Sequence, residues 1–350
     1  MKSLMTGAAF AAFAACSMTA AGTSGAMAQD AAPTECAEMR PLNIGISVVP
    51  PNVVHTTPFV AKALGLFEKY CIDATMMSFE GGSSITAAAA VQQGIAVANV
   101  NDTMVANGMQ AHQIWGFAPR LPQAYVVTEA IQTPADLAGM RLSAAGGGVG
   151  SFNWRMGRAL LAEAGLTVDD ANFISQGTAG RLPGLLSGQL DGVALHPEDQ
   201  FLAARDAPTT HVLSVLAEFM PNYVFNTYGA ADSMIENDRD LLVDAVTAMI
   251  EANRIIYQEP ERVIPIMVEE TDKEEAAVRH AWEILTTNCV WGVNQGFDPA
   301  RTDWTMQNSI DIGDVAEADR LSFEELVDTS IADEAVEQAG GRVEINGCSL

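Results

Sequence analysis

Positive charge is scarce in this 350-residue sequence: 18 Lys and Arg stand against 44 Asp and Glu, for a net charge of −26. A nucleic-acid groove needs a basic stripe to neutralise phosphates, so that class of partner is excluded. The acidic excess reads as solvated surface and does not by itself imply a cationic ligand. Long apolar runs are also missing. The first one, ending at Ala15, is shorter than the roughly 18 to 20 residues of a membrane span, and no later segment reaches that length free of charge. Cysteine is sparse, five in all, and no two form a Cys-x-x-Cys pair, so neither a zinc knuckle nor a dithiol redox motif is supported. A Gly-x-Ser-x-Gly elbow, a Walker Gly-Lys-Ser/Thr and two histidines four apart are all absent, which removes the commonest hydrolase, nucleotide-binding and zinc-protease signatures. His196-Pro197-Glu198 has the His-x-Glu of zinc deaminases, but no Pro-Cys-x-x-Cys follows to complete a metal site.

What is present begins with Met1-Lys2-Ser3-Leu4, a short apolar stretch and the small-residue triplet Ala26-Met27-Ala28, which together read as an export signal over residues 1–28. A second processing route stays open, because Phe13-Ala14-Ala15-Cys16 resembles a lipoprotein box with Cys16 as the lipidated residue. The roughly 320 residues that remain suit two domains. Four cysteines are left, Cys36, Cys71, Cys289 and Cys348, an even number for an oxidising compartment. Cys36 precedes the first strand and Cys71 follows the helix that returns to the same sheet edge, which favours that pair. Cys289 with Cys348 follows by elimination, and the crossed pairing remains open.

Periodicity gives a strand over 42–49, a helical pattern through Phe59, Val60, Ala63, Leu64 and Phe67, and a strand over 72–79. Glu80-Gly81-Gly82 then turns into a helix capped by Ser83. A strand over 95–100, a helix capped by Asp102 or Thr103 and running towards Ala111, and a strand over 114–117 continue the alternation. After a crossover at 125–128 the grammar restarts. It gives a strand over 140–144, the glycines Gly146, Gly147, Gly148 and Gly150, a helix capped by Ser151, and strands over 172–175, 192–195 and 212–217. A strand over 223–228 returns to the first set, and the rest is mainly helical. Such alternation predicts an α/β fold of two lobes, each a mostly parallel sheet flanked by helices. Lobe one spans 41–123 and 223–350, lobe two spans 125–221, and the chain crosses twice.

The stretches Thr57 to Glu68, Phe79 to Ser84, Thr133 to Met140, Leu186 to Glu198 and Phe323 to Ser330 occur in the order and spacing of a known family. The sequence resembles the type II periplasmic binding proteins for taurine, alkanesulfonates, nitrate and thiamine precursors. That resemblance implies two lobes with a ligand cleft between them, no catalysis, no cofactor and no bound metal. It also implies a monomer located in the periplasm that hands a small-molecule ligand to the permease subunits of an ABC importer. Presentation of the ligand to a membrane receptor is the alternative. A thiamine-precursor synthase is a further one, weakened by the missing cysteine cluster and the loose fit of Lys62.

Strand ends and helix starts facing the cleft supply unpaired N–H groups and the positive end of the helix dipole, a setting that favours small anions. The candidate ligand contacts are His55 and Thr56 after the first strand, Ser83 and Ser84 at the second helix, and Asn101 after the third strand. In lobe two they are Gly148 and Ser151, with Phe152 as an aromatic wall, Arg181 as a cation and Glu198 as a strand-end acid. Plain capping is the competing role for Thr56 and Ser83, a mere tight turn for the run Gly146 to Ser151, a solvated face for Arg181, and a first-turn helix acid for Glu198. Asp102 and Glu198 oppose an anion, so a zwitterion is the ligand type that satisfies both sets.

Overall fold

The computed structural model describes residues 36–79 and 85–350. The expected signal over 1–28, the alternative at Cys16, and the candidates Ser83 and Ser84 lie outside the described residues. Among the described residues ten strands form, in the order β1 Arg40–Ile46, β2 Ile72–Ser78, β3 Ala98–Asn99, β4 Ala111–Ala118, β5 Ala124–Val127, β6 Arg141–Ser143, β7 Asn172–Ile174, β8 Gly192–Leu195, β9 His211–Val215 and β10 Asn226–Ala231. The inner parallel strands are apolar runs that bury most of their side chains. In β1, Leu42, Ile44 and Ile46 are buried, and all four residues of β8 are.

One sheet has the order β7-β6-β8-β5-β9 and comes entirely from 124–215. The other strands pair as β1 with β2 and as β3-β10-β4. A bridge between Ile44 and Val97, with Gly45 N donating to Val97 O at 2.7 Å and Val97 N to Asn43 O at 3.1 Å, joins these two ladders. The resulting order, β2-β1-β3-β10-β4, matches the first sheet position by position. In each assembly one strand is inserted antiparallel to both neighbours, β5 in one and β10 in the other. These are the strands by which the chain enters the second sheet after β4 and returns from it after β9.

Local details depart from the periodicity. The helix expected from Asp102 towards Ala111 ends at Ala106, and Asn101 caps it, its side chain accepting from Met104 N at 2.9 Å. Gly108, at φ +96°, turns the chain so that β4 can begin at Ala111. The strand expected from Tyr223 begins three residues later, at Asn226.

The larger core lies under the helix Arg239–Gln258, where Val246, Met249 and Ile250 pack near Trp115, Trp291 and Phe67. A second core, with Tyr125, Leu142, Met156 and Leu160, sits between the five-stranded sheet and the helix Phe152–Glu163. Burying one such side chain contributes roughly 1.5–3 kcal/mol. Disulfides join Cys36 to Cys71 and Cys289 to Cys348 across 35 and 59 residues. Loop-closure entropy gives each about 4 kcal/mol of stabilisation. No helix among the described residues is long and apolar enough to cross a membrane.

Candidate functional site

Parallel α/β sheets leave strand C-termini and helix N-termini facing the same crevice, where ligands bind. Both sheets here direct those ends at one cavity of about 100 Å³. His55 arrives in the turn after β1 and Asn101 at the helix start after β3. Phe152 opens the helix after β6, Arg181 the helix Arg181–Leu186 after β7, and His196 precedes the helix Pro197–Asp206 after β8. All five line the cavity. At roughly 10–15 Å³ for one water, the volume suits a compact solute of several heavy atoms.

The imidazoles of His55 and His196 lie 5.7 Å apart edge-on, with Phe225 about equally near both, at 6.2 and 6.1 Å. Burial, reinforced by the charge of Arg181, holds both rings neutral: His55 falls to about 3 and His196 well below its ordinary value. Asn226 Nδ2 faces His55 Nε2 at 3.0 Å, and Gln123 Nε2 faces His196 Nε2 at 3.1 Å. Among the described residues, each Nδ1 is buried without a hydrogen-bond partner, as are the carbonyl oxygens of Gln113 and Gln123. All four residues line the cavity, and a buried polar atom without a protein partner is a group that a ligand or an ordered water can satisfy.

Arg181 is anchored by two bonds, Nε to Thr178 O and Nη2 to Asn52 Oδ1, both at 2.9 Å. A second cation, Arg155, lies 3.1 Å from Asp314 through Nε and Oδ2. Asp102 also lines the wall. Burial pushes its carboxyl up, against the pull of Ser309, whose Oγ donates to Oδ2 at 2.6 Å, and of Arg155.

Four sequence candidates, Thr56, Gly148, Ser151 and Glu198, stand outside the cavity lining. Thr56 is fully buried, and its hydroxyl donates to Val53 O at 2.8 Å. Gly148 N donates to Ala144 O at 3.0 Å, and it is Gly146 and Gly150 of the same loop that line the cavity. Ser151 is the helix cap, its Oγ accepting from Trp154 N at 3.3 Å. Glu198, 0% exposed, lies behind the wall, where Oε1 accepts from Asn52 Nδ2 at 2.9 Å and Val53 N at 3.1 Å. Burial and the neighbouring charge of Asp199 raise the Glu198 carboxyl to about 7. Trp154 turns away to place its ring under Arg158, 4.4 Å from the guanidinium carbon.

Sequence reasoning missed Asn52, Asn99, Gln113, Gln123, Arg155, His196 and Asn226. A usable signal was there for several of them. Asn99, Asn226 and His196 are polar residues at the ends of apolar strands, where the crevice rule places ligand groups.

The sequence matches the NMT1/THI5-like family model over residues 52–263. No curated protein sequence matches it. Among solved structures, a protein of Bordetella bronchiseptica RB50 is similar at 16% identity and a TM-score of 0.71, over 86% of this chain and 98% of that one. The alkanesulfonate-binding protein SsuA of Xanthomonas axonopodis pv. citri, bound to MOPS, is similar at 16% identity and 0.62, over 83% and 97%. The desulfurization enzyme DSZB is similar at 15% identity and 0.61, over 85% and 99%. At these identities the likeness carries the fold, the two-lobed α/β architecture of periplasmic binding proteins.

Proposed function

The chain belongs to the NMT1/THI5-like family, and on that premise we propose that it is the extracytoplasmic solute-binding component of an ABC importer. One observation carries the reading: a cavity lined from both sheets sets the Arg181 guanidinium near two neutral imidazoles whose Nδ1 atoms have no hydrogen-bond partner among the described residues. Cationic and neutral donors on largely buried side chains suit a compact anionic group such as a sulfonate or carboxylate. The free oxygens of Gln113 and Gln123, with Asp102, suit an amino group on the same molecule, so a zwitterion fits as well. The bound alkanesulfonate-type ligand of SsuA is consistent with this class.

In this reading lobe one comprises 41–123 with 223–350, lobe two comprises 125–221, and a monomer exported by the signal at 1–28 closes its lobes on ligand and docks on permease subunits. His55, Asn101, Phe152 and Arg181 touch the ligand, whereas Glu198 and Ser151 hold those residues in place. The enzyme DSZB shares the fold. Against catalysis by a cysteine here, the four described cysteines are all in disulfides. Thermal-shift screening against sulfonates, aromatic carboxylates, amino acids and pyrimidines tests the class, since ligand at about 100 times Kd adds roughly 2.7 kcal/mol of stability. A hit recovered chemically unchanged supports binding, and a converted hit supports the enzyme. Loss of uptake in a deletion strain separates import from sensing.

A further inference from the structure

Hydrogen-bond direction around His55 is set by a backbone carbonyl three groups away. Asn99 Nδ2 lies 3.1 Å from Thr227 O and 2.9 Å from Asn226 Oδ1. A carbonyl only accepts, so the Asn99 atom at that point is its NH₂. The Asn226 atom facing this NH₂ must then be its oxygen, which turns the Asn226 NH₂ towards His55 Nε2 at 3.0 Å. An NH₂ only donates, so Nε2 accepts and carries no proton. The one proton of a neutral imidazole therefore sits on Nδ1, which is buried and without a partner among the described residues.

We propose that the Thr227–Asn99–Asn226 chain fixes His55 as the Nδ1–H tautomer and so makes it a specificity-determining donor of the cavity. The inference rests on the solute-binding reading and sharpens it: the ligand presents an acceptor to His55, such as a sulfonate or carboxylate oxygen. A solute presenting an N–H there meets a second donor and is rejected. Asn99 and Asn226 are positioning residues, acting through the imidazole. The Gln123–His196 contact lacks such an anchor, because the Gln123 oxygen is unpartnered and the amide can turn over.

Long-range ¹H–¹⁵N correlation spectra of the unliganded, ¹⁵N-labelled protein test this directly. Neutral His55 is expected to show a protonated Nδ1 and a bare Nε2 at pH 7. A protonated Nε2 with a bare Nδ1 overturns the proposal, and the wild-type spectrum alone decides it. In Asn226→Asp the carboxylate only accepts, so His55 Nε2 is expected to gain a proton, visible as a nitrogen shift that a merely structural role would not produce. An Asn226→Asp spectrum unchanged at His55 also contradicts it. With methanesulfonate as probe, Asn226→Asp is expected to weaken binding roughly 10- to 100-fold. Wild-type protein that ignores methanesulfonate and every other anion refutes the anion-binding reading, while the nitrogen spectrum still judges the tautomer.

Discussion

Asn52 Oδ1 accepts from Arg181 Nη2 at 2.9 Å although the two residues are 129 apart in sequence. The same amide donates to Glu198 Oε1, so one side chain after β1 orients a cation and engages a buried acid from the other sheet. Replacing it by alanine removes two bonds to ionisable groups, each contributing roughly 1.5–3 kcal/mol. Asn52→Ala is expected to lower affinity for a cavity ligand about 10-fold or more in calorimetric titration, with a folded circular-dichroism spectrum. Unaltered affinity would show that Arg181 needs no anchor.

The Glu198 carboxyl titrates near 7 when folded and at 4.5 in its ordinary state. A raised carboxyl contributes stability that is present below pH 4.5 and lost as pH climbs towards 7. Glu198→Gln abolishes that loss. Urea denaturation of both proteins should show the variant gaining on the wild type between pH 4.5 and 7, by up to about 3 kcal/mol. A pH-independent difference would mean that the acid is already ionised at pH 5.

His55 titrates in the opposite sense. Its folded value of about 3 lies below the ordinary 6.5, so the unfolded chain takes up the proton first and stability falls as pH drops from 6.5 towards 3. His55→Asn should flatten that limb by up to about 1.4 kcal/mol per pH unit. Parallel acid curves for the two proteins would place a charged imidazole in the native state.

Gly116 in β4 packs its backbone against Gly296, and a methyl group built there would lie 2.1 Å from the Gly296 carbonyl oxygen. Backbone cannot yield as a side chain can, so Gly116→Ala is expected to destabilise by about 3 kcal/mol. A thermal melt within a degree of wild type would contradict the close approach.

Much of the scaffold was legible because strands and helices are local. β8 has the bounds its apolar run suggests, and the glycine loop before Ser151 delivers a capped helix start as its composition implies. The sense of β10 was not, since insertion antiparallel between β3 and β4 depends on partners more than a hundred residues away. The site divides along the same line. His55, Asn101, Phe152 and Arg181 follow from their positions at strand ends and helix starts. Glu198 follows the same pattern, yet Asn52 draws it behind the wall. Asn99 and Asn226 matter through each other, and no window of sequence contains both.

The central claim is capture of a compact anionic group by Arg181 in the cavity between the sheets. Isothermal titration of wild-type and Arg181→Gln protein with small sulfonates, carboxylates and zwitterions tests it most directly. The account predicts that at least one such anion or zwitterion binds the wild type, and that the variant binds it at least about 10-fold more weakly, as expected for loss of a charge-assisted bond. Binding of uncharged or cationic solutes only, or equal affinity for the anion in both proteins, would contradict it.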